Sequence, residues 1–113
     1  MSDCLFCRTA AGEIPVTKVA ENGQAFAIHD INPRAPVHVL IVPNEHIAWA
    51  GDLQLEHGTV LAAMFALATE VADIEGVAES GYRLAFNVGD DAGMTIPHLH
   101  LHLVGGRKLG PEG

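Results

Sequence analysis

The sequence predicts an α+β domain, an antiparallel sheet of about five strands backed by one long helix, with a short helix at the N-terminus. Three observations predict it. Pro97-His98-Leu99-His100-Leu101-His102-Leu103-Val104 alternates histidine with leucine, the pattern of a half-buried strand. Asn22-Gly23 stands between two apolar runs, the strongest short-range signal for a β-hairpin. Val60, Leu61, Met64, Leu67, Val71 and Ile74 recur at helical spacing with Gly76 just beyond, which marks an amphipathic helix and its stop.

Taken in order, residues 1–13 read as a short helix or irregular segment ended by Gly12 and the extended Ile14-Pro15 step. Val16 to Ala20 and Ala25 to His29 are the two strands of the hairpin. Asp30-Ile31-Asn32-Pro33-Arg34-Ala35-Pro36 is a loop by its prolines and Asx residues. Val37 to Val42 is a β-branched strand stopped by Pro43. Asn44 to Asp52 connects to the long helix, with His57 expected on the surface before it. Tyr82 to Val88 is a fourth strand, Gly89 to Gly93 a flexible loop, and the histidine stretch a fifth strand. The sheet edges need cover, and self-pairing is one way to supply it. The tail from Gly105 is expected to be ordered only if something covers it.

The chain has 113 residues, 49% hydrophobic and 18% charged, the scale and composition of one globular domain covering residues 1–113. Its formal net charge of −8 argues against a nucleic-acid partner or an anionic membrane surface, both of which need a basic face. Neither a signal peptide nor an apolar run of membrane-spanning length is expected, so the localisation read from the sequence is cytoplasmic. In that compartment Cys4-x-x-Cys7 reads as a metal or redox pair before a structural disulfide.

The histidine strand carries the chemistry. On a strand, residues i, i+2 and i+4 share a face, so His98, His100 and His102 would form a row with the leucines in the core. Three buried imidazoles each need partners, which disfavours a purely structural role. A three-imidazole zinc site is chemically possible, but a ligand from i+4 would require the strand to bend strongly. Gly93-Met94-Thr95 immediately upstream suits a loop that offers backbone N–H groups and a hydroxyl to a phosphate. Imidazole is also a nucleophile towards phosphorus once the correct tautomer is held, so phosphate or covalent chemistry is preferred here. His100 would have an imidazole neighbour on each side, with one ring nitrogen donating to a carbonyl or an equivalent acceptor so that the other keeps an attacking lone pair.

These residues resemble the histidine-triad superfamily of nucleotide hydrolases and transferases. The similarity extends through Gly12-Glu13-Ile14-Pro15, Ala27 to Pro33, Ala35 to Pro43, Gly81-Tyr82-Arg83 and Val104-Gly105-Gly106-Arg107. It is strongest to the nucleotide-binding branch, whose members hydrolyse purine nucleoside 5′-phosphoramidates as homodimers with the sheet extended across the dimer. The resemblance makes His100 the nucleophile of a nucleotidyl-histidine intermediate, supported by His98, His102 and His38. It gives Asp30 to the ribose hydroxyls and His29 and Ile31 to the nucleoside pocket. Asn87 would contact ribose or phosphate, and Gly93 and Thr95 the phosphate. Read without the family, Asp30 is an Asx-turn residue and Asn87 a polar residue at a strand end.

Some bacterial members hold a structural zinc through positions matching Cys4, Cys7, His46 and His98, a tetrahedral Cys2His2 set. The chemistry itself would require no cofactor, and the ligand would be a purine nucleotide such as AMP. Two departures stand out. Met94 replaces the family's usual Gln, and the chain ends Gly110-Pro111-Glu112-Gly113 where the family has Trp-Pro-Pro-Gly, a tail that shapes the leaving-group side of the partner's site. The alternatives are a dinucleoside polyphosphate hydrolase and a non-catalytic nucleotide-binding or scaffold protein.

Overall fold

Every strand of the sheet is antiparallel to its neighbours, in the order β1-β2-β3-β5-β4. The computed structural model describes residues 4–112. Its elements are α1 (Leu5–Ala10), β1 (Ala20–Glu21), β2 (Ala25–His29), β3 (Val37–Pro43), α2 (Gly58–Ile74), β4 (Tyr82–Ala85) and β5 (Leu101–Gly105), with short 3-10 turns between them. Strand alternation sorts the side chains into two layers. Ala25 and Ala27 of β2, Val39 and Ile41 of β3, and Leu101 and Leu103 of β5 face Met64, Leu67 and Val71 of α2 in the main core. Phe26, Leu40 and Val42 point to the other face and pack with Phe6 of α1. His38 and His102 share this second side by the same alternation, and both are buried.

The hairpin forms where Asn-Gly places it, and the Asn22 side chain accepts N–H bonds from Gln24 and Ala25 at 2.9 and 3.0 Å. Its first strand is shorter than expected. Pairing is confined to Ala20–Glu21 plus one bond from Val19 N–H to Ala27 O at 2.8 Å, because Val16 is exposed and has no packing to hold it in the sheet. The fourth strand likewise stops at Ala85 and not Val88. Phe86 leaves the ladder to meet Phe65 of α2 edge-on at 6.4 Å.

The fifth strand starts at Leu101 and not at Pro97. Pro97 has no N–H to donate, the His98 N–H bends back to Ile96 O at 2.9 Å, and the Leu99 N–H goes to Ile47 O at 2.6 Å. His57 is not a plain surface residue, since its Nδ1 accepts the Gln54 N–H at 2.8 Å at the start of the 3-10 turn leading into α2. The segment Leu55–Ile74 reaches 20 residues with a mean hydropathy of 1.2, longer than the sequence reading allowed for any apolar run. Its buried stripe, Val60, Met64, Leu67 and Val71, is engaged with the sheet, as expected of a core helix.

The C-terminal tail does have cover. Arg83 donates to Gly110 O at 2.8 Å, and Arg107 donates to Arg34 O at 3.1 Å. Gly106 makes the turn at φ +90°, and a Cβ there would lie 2.9 Å from Pro36 Cβ, so only glycine fits both the conformation and the space.

Candidate active site

The second face of the sheet opens into a cleft of about 310 Å³ that gathers most of the residues singled out by sequence, within the size range of small-molecule sites. His29, Asp30 and Ile31 line it from the end of β2 and the following loop. Asn87, Gly93 and Thr95 line it from the β4–β5 connection, and His100 and His102 form its floor. His98 and His38 stand outside this lining, each hydrogen-bonded to one of the two histidines of the floor.

The expected row of three imidazoles is therefore divided. His100 and His102 lie side by side, ring centroids 5.1 Å apart. The ring on the other side of His100 is Phe6, edge-on at 5.4 Å, and Phe6 also meets His98 at 5.7 Å. The His98 ring turns towards α1, because the chain at 98–99 has not yet joined the β-ladder. What His98 offers His100 is its main-chain carbonyl, 2.7 Å from His100 Nδ1. A carbonyl can only accept, so Nδ1 carries the proton and Nε2 keeps its lone pair.

The same logic assigns the other tautomers. Arg34 N–H donates to His38 Nδ1 at 3.2 Å, which puts the His38 proton on Nε2. That nitrogen lies 2.9 Å from His102 Nδ1 and 3.4 Å from Asp30 Oδ2. His102 Nδ1 thus accepts and its proton sits on Nε2, whose N–H the Asn87 amide, 3.3 Å away, accepts when it is turned with its oxygen inward. Asp30, His38 and His102 have donor atoms close enough to hold a cation. The His38 nitrogen facing the group is protonated, however, so the trio is a hydrogen-bonded chain. Asp30 also accepts the Asn32 N–H at 2.8 Å, so the Asx-turn and the cleft position coexist. Burial comes first in pulling the His102 pKa from 6.5 to about 4, with His100 and His38 adding to it. Burial also lowers His38, opposed by Asp30 and aided by Arg34.

These shifts have a sign. The unfolded chain takes up protons at these histidines near pH 6.5, whereas the folded chain resists them. The contribution of His102 to stability is complete above pH 6.5 and declines as the pH falls towards 4, by about 1 kcal/mol per pH unit, and that of His38 declines in the same direction. The urea midpoint should drop between pH 7.5 and 5, less steeply in His102→Gln. A midpoint that rose on acidification would contradict the burial described.

Three details depart from expectation. The Gly93 and Met94 N–H groups bond within their own loop, to Asp90 O at 2.9 Å and Gly89 O at 3.2 Å, so they are not the open anion cradle the sequence suggested. His29 is held at the rim by Glu75, 3.0 Å from its Nε2. Arg34 and Phe6 also line the cleft. Arg34 could have been noticed as a cation in the loop after Asp30, whereas nothing in the sequence marked Phe6.

Beside the cleft, Cys4, Cys7, His46 and His98 form a second cluster whose donor atoms all lie within 4.8 Å of one another. The Cys4 Sγ to His98 Nδ1 and Cys7 Sγ to His46 Nδ1 distances are both 3.2 Å, Cys7 Sγ to His98 Nδ1 is 3.5 Å, and His46 Nδ1 to His98 Nδ1 is 3.2 Å. A tetrahedron with ordinary zinc–nitrogen and zinc–sulfur bonds has edges of about 3.3 Å between nitrogens and about 3.6 Å between nitrogen and sulfur. His98 Nε2 donates to Pro43 O at 2.8 Å, which leaves the Nδ1 lone pair aimed into the cluster, the support expected of a metal-ligating histidine. The residues fit a metal ion.

The sheet thus presents His100, its tautomer fixed by a main-chain carbonyl, beside a hydrogen-bonded chain of two further imidazoles. Comparison with known proteins gives the family. The pattern of the HIT domain matches residues 11–109. The chain is 40% identical over 109 residues to a purine nucleoside phosphoramidase of Escherichia coli, covering 96% of this chain and 92% of that protein. It is 44% identical over 108 residues to an uncharacterised 13.2 kDa HIT-like protein of Azospirillum brasilense, covering 95% and 88%. A HIT family hydrolase from Legionella pneumophila superposes with a TM-score of 0.94 at 46% identity, covering 98% of this chain and all of the other. The chain belongs to the HIT, or histidine-triad, family of hydrolases.

Proposed function

We propose that the protein hydrolyses purine nucleoside 5′-phosphoramidates through a nucleotidyl-histidine intermediate on His100. The observation that carries this reading is the His98 carbonyl on His100 Nδ1, which places the lone pair of the neutral ring on Nε2 as the attacking atom. The 40% identity to a purine nucleoside phosphoramidase supports the substrate class.

On this reading Asp30 accepts from the ribose hydroxyls, while His29 and Ile31 wall the nucleoside and Thr95 and Asn87 face the phosphate. Gly93 shapes the loop beside them through its left-handed φ of 82°. His100 Nε2 attacks phosphorus and forms a P–N bond as the bond to the amine breaks, and the departing nitrogen keeps its electron pair and takes up a proton. Water then displaces His100 to release the 5′-monophosphate. His102 is neutral near pH 7, so it serves as an N–H donor to the phosphate oxygens and not as an imidazolium. His38 fixes the tautomer that makes this possible.

Cys4, Cys7, His46 and His98 would hold a structural zinc ion that ties α1 to the approach of β5; no step of the reaction uses it. A homodimer is part of the same reading, supported by the outer edge of β4, which among the described residues pairs with β5 alone, and by exposed Phe65 beside it. A cytoplasmic location accords with the reduced thiols this metal site requires.

The test is AMP release from adenosine 5′-phosphoramidate, run beside diadenosine tetraphosphate. Faster release from the phosphoramidate is the expected result. Preference for the dinucleotide would move the protein to polyphosphate hydrolysis, and binding of AMP without turnover of either would make it a nucleotide-binding module.

A further inference from the structure

Cys4 and Cys7 enter the proposed function only as metal ligands, yet their placement also suits chemistry between the two sulfurs. Cys4 is the N-cap of α1, and Cys7 stands one turn later with its N–H on Cys4 Sγ at 3.5 Å. The Arg8 N–H closes that turn on Cys4 O at 3.1 Å. A helical turn brings such Cα atoms to about 5 Å, inside the span of a disulfide. Both sulfurs meet one atom, His98 Nδ1, at 3.2 and 3.5 Å, and they lie within 4.8 Å of each other. Both cysteines are half-buried, so a small oxidant reaches them. Phe6 stands between them in the chain and is itself buried. Its ring packs with Phe26, Leu40 and Val42, meets His98 and His100 edge-on at 5.7 and 5.4 Å, and lines the nucleotide cleft. One turn of helix thus delivers two sulfurs to the cluster and one ring to the nucleophile.

We infer that Cys4 and Cys7 form a reversible disulfide with a hydroperoxide as oxidant, that the disulfide excludes the metal ion, and that Phe6 carries the change to His100. The disulfide step needs only the two thiols, whereas its effect on ligand binding rests on the nucleotide reading above. One sulfur attacks a peroxide oxygen, so that an S–O bond forms, the O–O bond breaks and a water leaves. The second sulfur attacks the resulting sulfenic sulfur, the S–S bond forms, and the S–O bond breaks to release a second water. Two electrons pass from the thiols to the peroxide, and the two thiol protons end in the waters. Where the sulfurs start as metal-bound thiolates, solvent supplies those protons. The thiolate is the form that ligates a metal, so the oxidised pair leaves His46 and His98 as the remaining donors. As the sulfurs turn to each other they leave His98. The tie from α1 to the approach of β5 is lost, and the Phe6 ring shifts against His100.

The test treats zinc-loaded protein with equimolar hydrogen peroxide. A Cys4–Cys7 cross-linked peptide should appear by mass spectrometry, zinc should pass to a chromogenic chelator, and the NMR signals of the His100 ring should move. AMP affinity should fall by about fivefold, the lower end of ordinary coupling between two sites. Dithiothreitol with added zinc should restore every signal. Cys7→Ser should show no response to peroxide, and Phe6→Leu should cross-link like wild type with a smaller movement at His100. Sulfinic acid without a cross-link overturns the inference, as does a cross-linked protein that retains its zinc. Cross-linking that leaves the His100 signals in place overturns the connection to the cleft, and a full response in Phe6→Leu overturns the part given to Phe6. If reduced protein binds no AMP, the nucleotide reading fails, while the cross-link and the His100 signals still decide the switch.

Discussion

His100→Ala is expected to lower phosphoramidate turnover by at least about 10³-fold, the scale on which loss of a nucleophile acts, while AMP binding persists. The separation follows from geometry. The nucleoside side of the cleft is built from His29, Asp30 and Ile31, none of which depends on the His100 ring. His100 faces Phe6 and His102 and bonds to a main-chain carbonyl, so truncation to alanine removes one ring from a cleft wall and opens no void in the main core. Rapid mixing with excess substrate, followed by acid quench, should trap a nucleotidyl adduct in wild type and none in the variant. Wild-type-like turnover in His100→Ala would refute the covalent route through this residue.

The second large effect concerns the Cys2His2 cluster. Purified protein should contain one zinc per chain, and stripping it, or replacing Cys4 by serine, should lower stability by about 3 kcal/mol, as loss of a tightly bound ligand does. For a domain of this size that is a fall in Tm on the order of 10 °C. The cost is concentrated because the cluster spans the chain: Cys4 caps α1 and Cys7 lies within it, His46 follows β3 and His98 precedes β5. Without the ion, the two thiols and two imidazoles are left in contact with one another at 3.2 to 3.5 Å. No stoichiometric zinc, together with unchanged stability in Cys4→Ser, would remove the metal from the account.

Where the sequence had strong periodicity, the fold was legible. The bounds of β2, those of β3 apart from Pro43, which pairs with Ala25 as the strand's last residue, and most of the inner face of α2 follow from apolar spacing; Ile74, read with that stripe, is exposed at the helix end. The leucines at 99, 101 and 103 are all in the core as alternation required. The ladder's starting point was not legible, because period-two spacing persists through a segment whose N–H groups bond elsewhere. That is why His98 reads as a third member of a row and is found turned towards two cysteines far away in sequence. Arg34 escaped notice for a related reason, since its role is played by a backbone N–H that every non-proline residue possesses. Trp49 stood out in the sequence only as a single aromatic residue. Its setting depends on the backbone at Gly51 and Gly89, the second of them 40 positions away, which approaches the ring closely.

The opposite tautomers of His98 and His100 make the two side chains separable by amide mimicry. An asparagine amide can occupy the place of an imidazole Nδ1, and a glutamine amide that of Nε2. At position 100 asparagine retains a donor for the His98 carbonyl while deleting the attacking atom, whereas glutamine sends its amide into the cleft and abandons the carbonyl. At position 98 the consequences are reversed in location: glutamine preserves the tether to Pro43 and withdraws from the thiols. The motif's neighbouring histidines can thus be dissected one nitrogen at a time, with the main-chain anchor and the reactive edge of each ring removed independently.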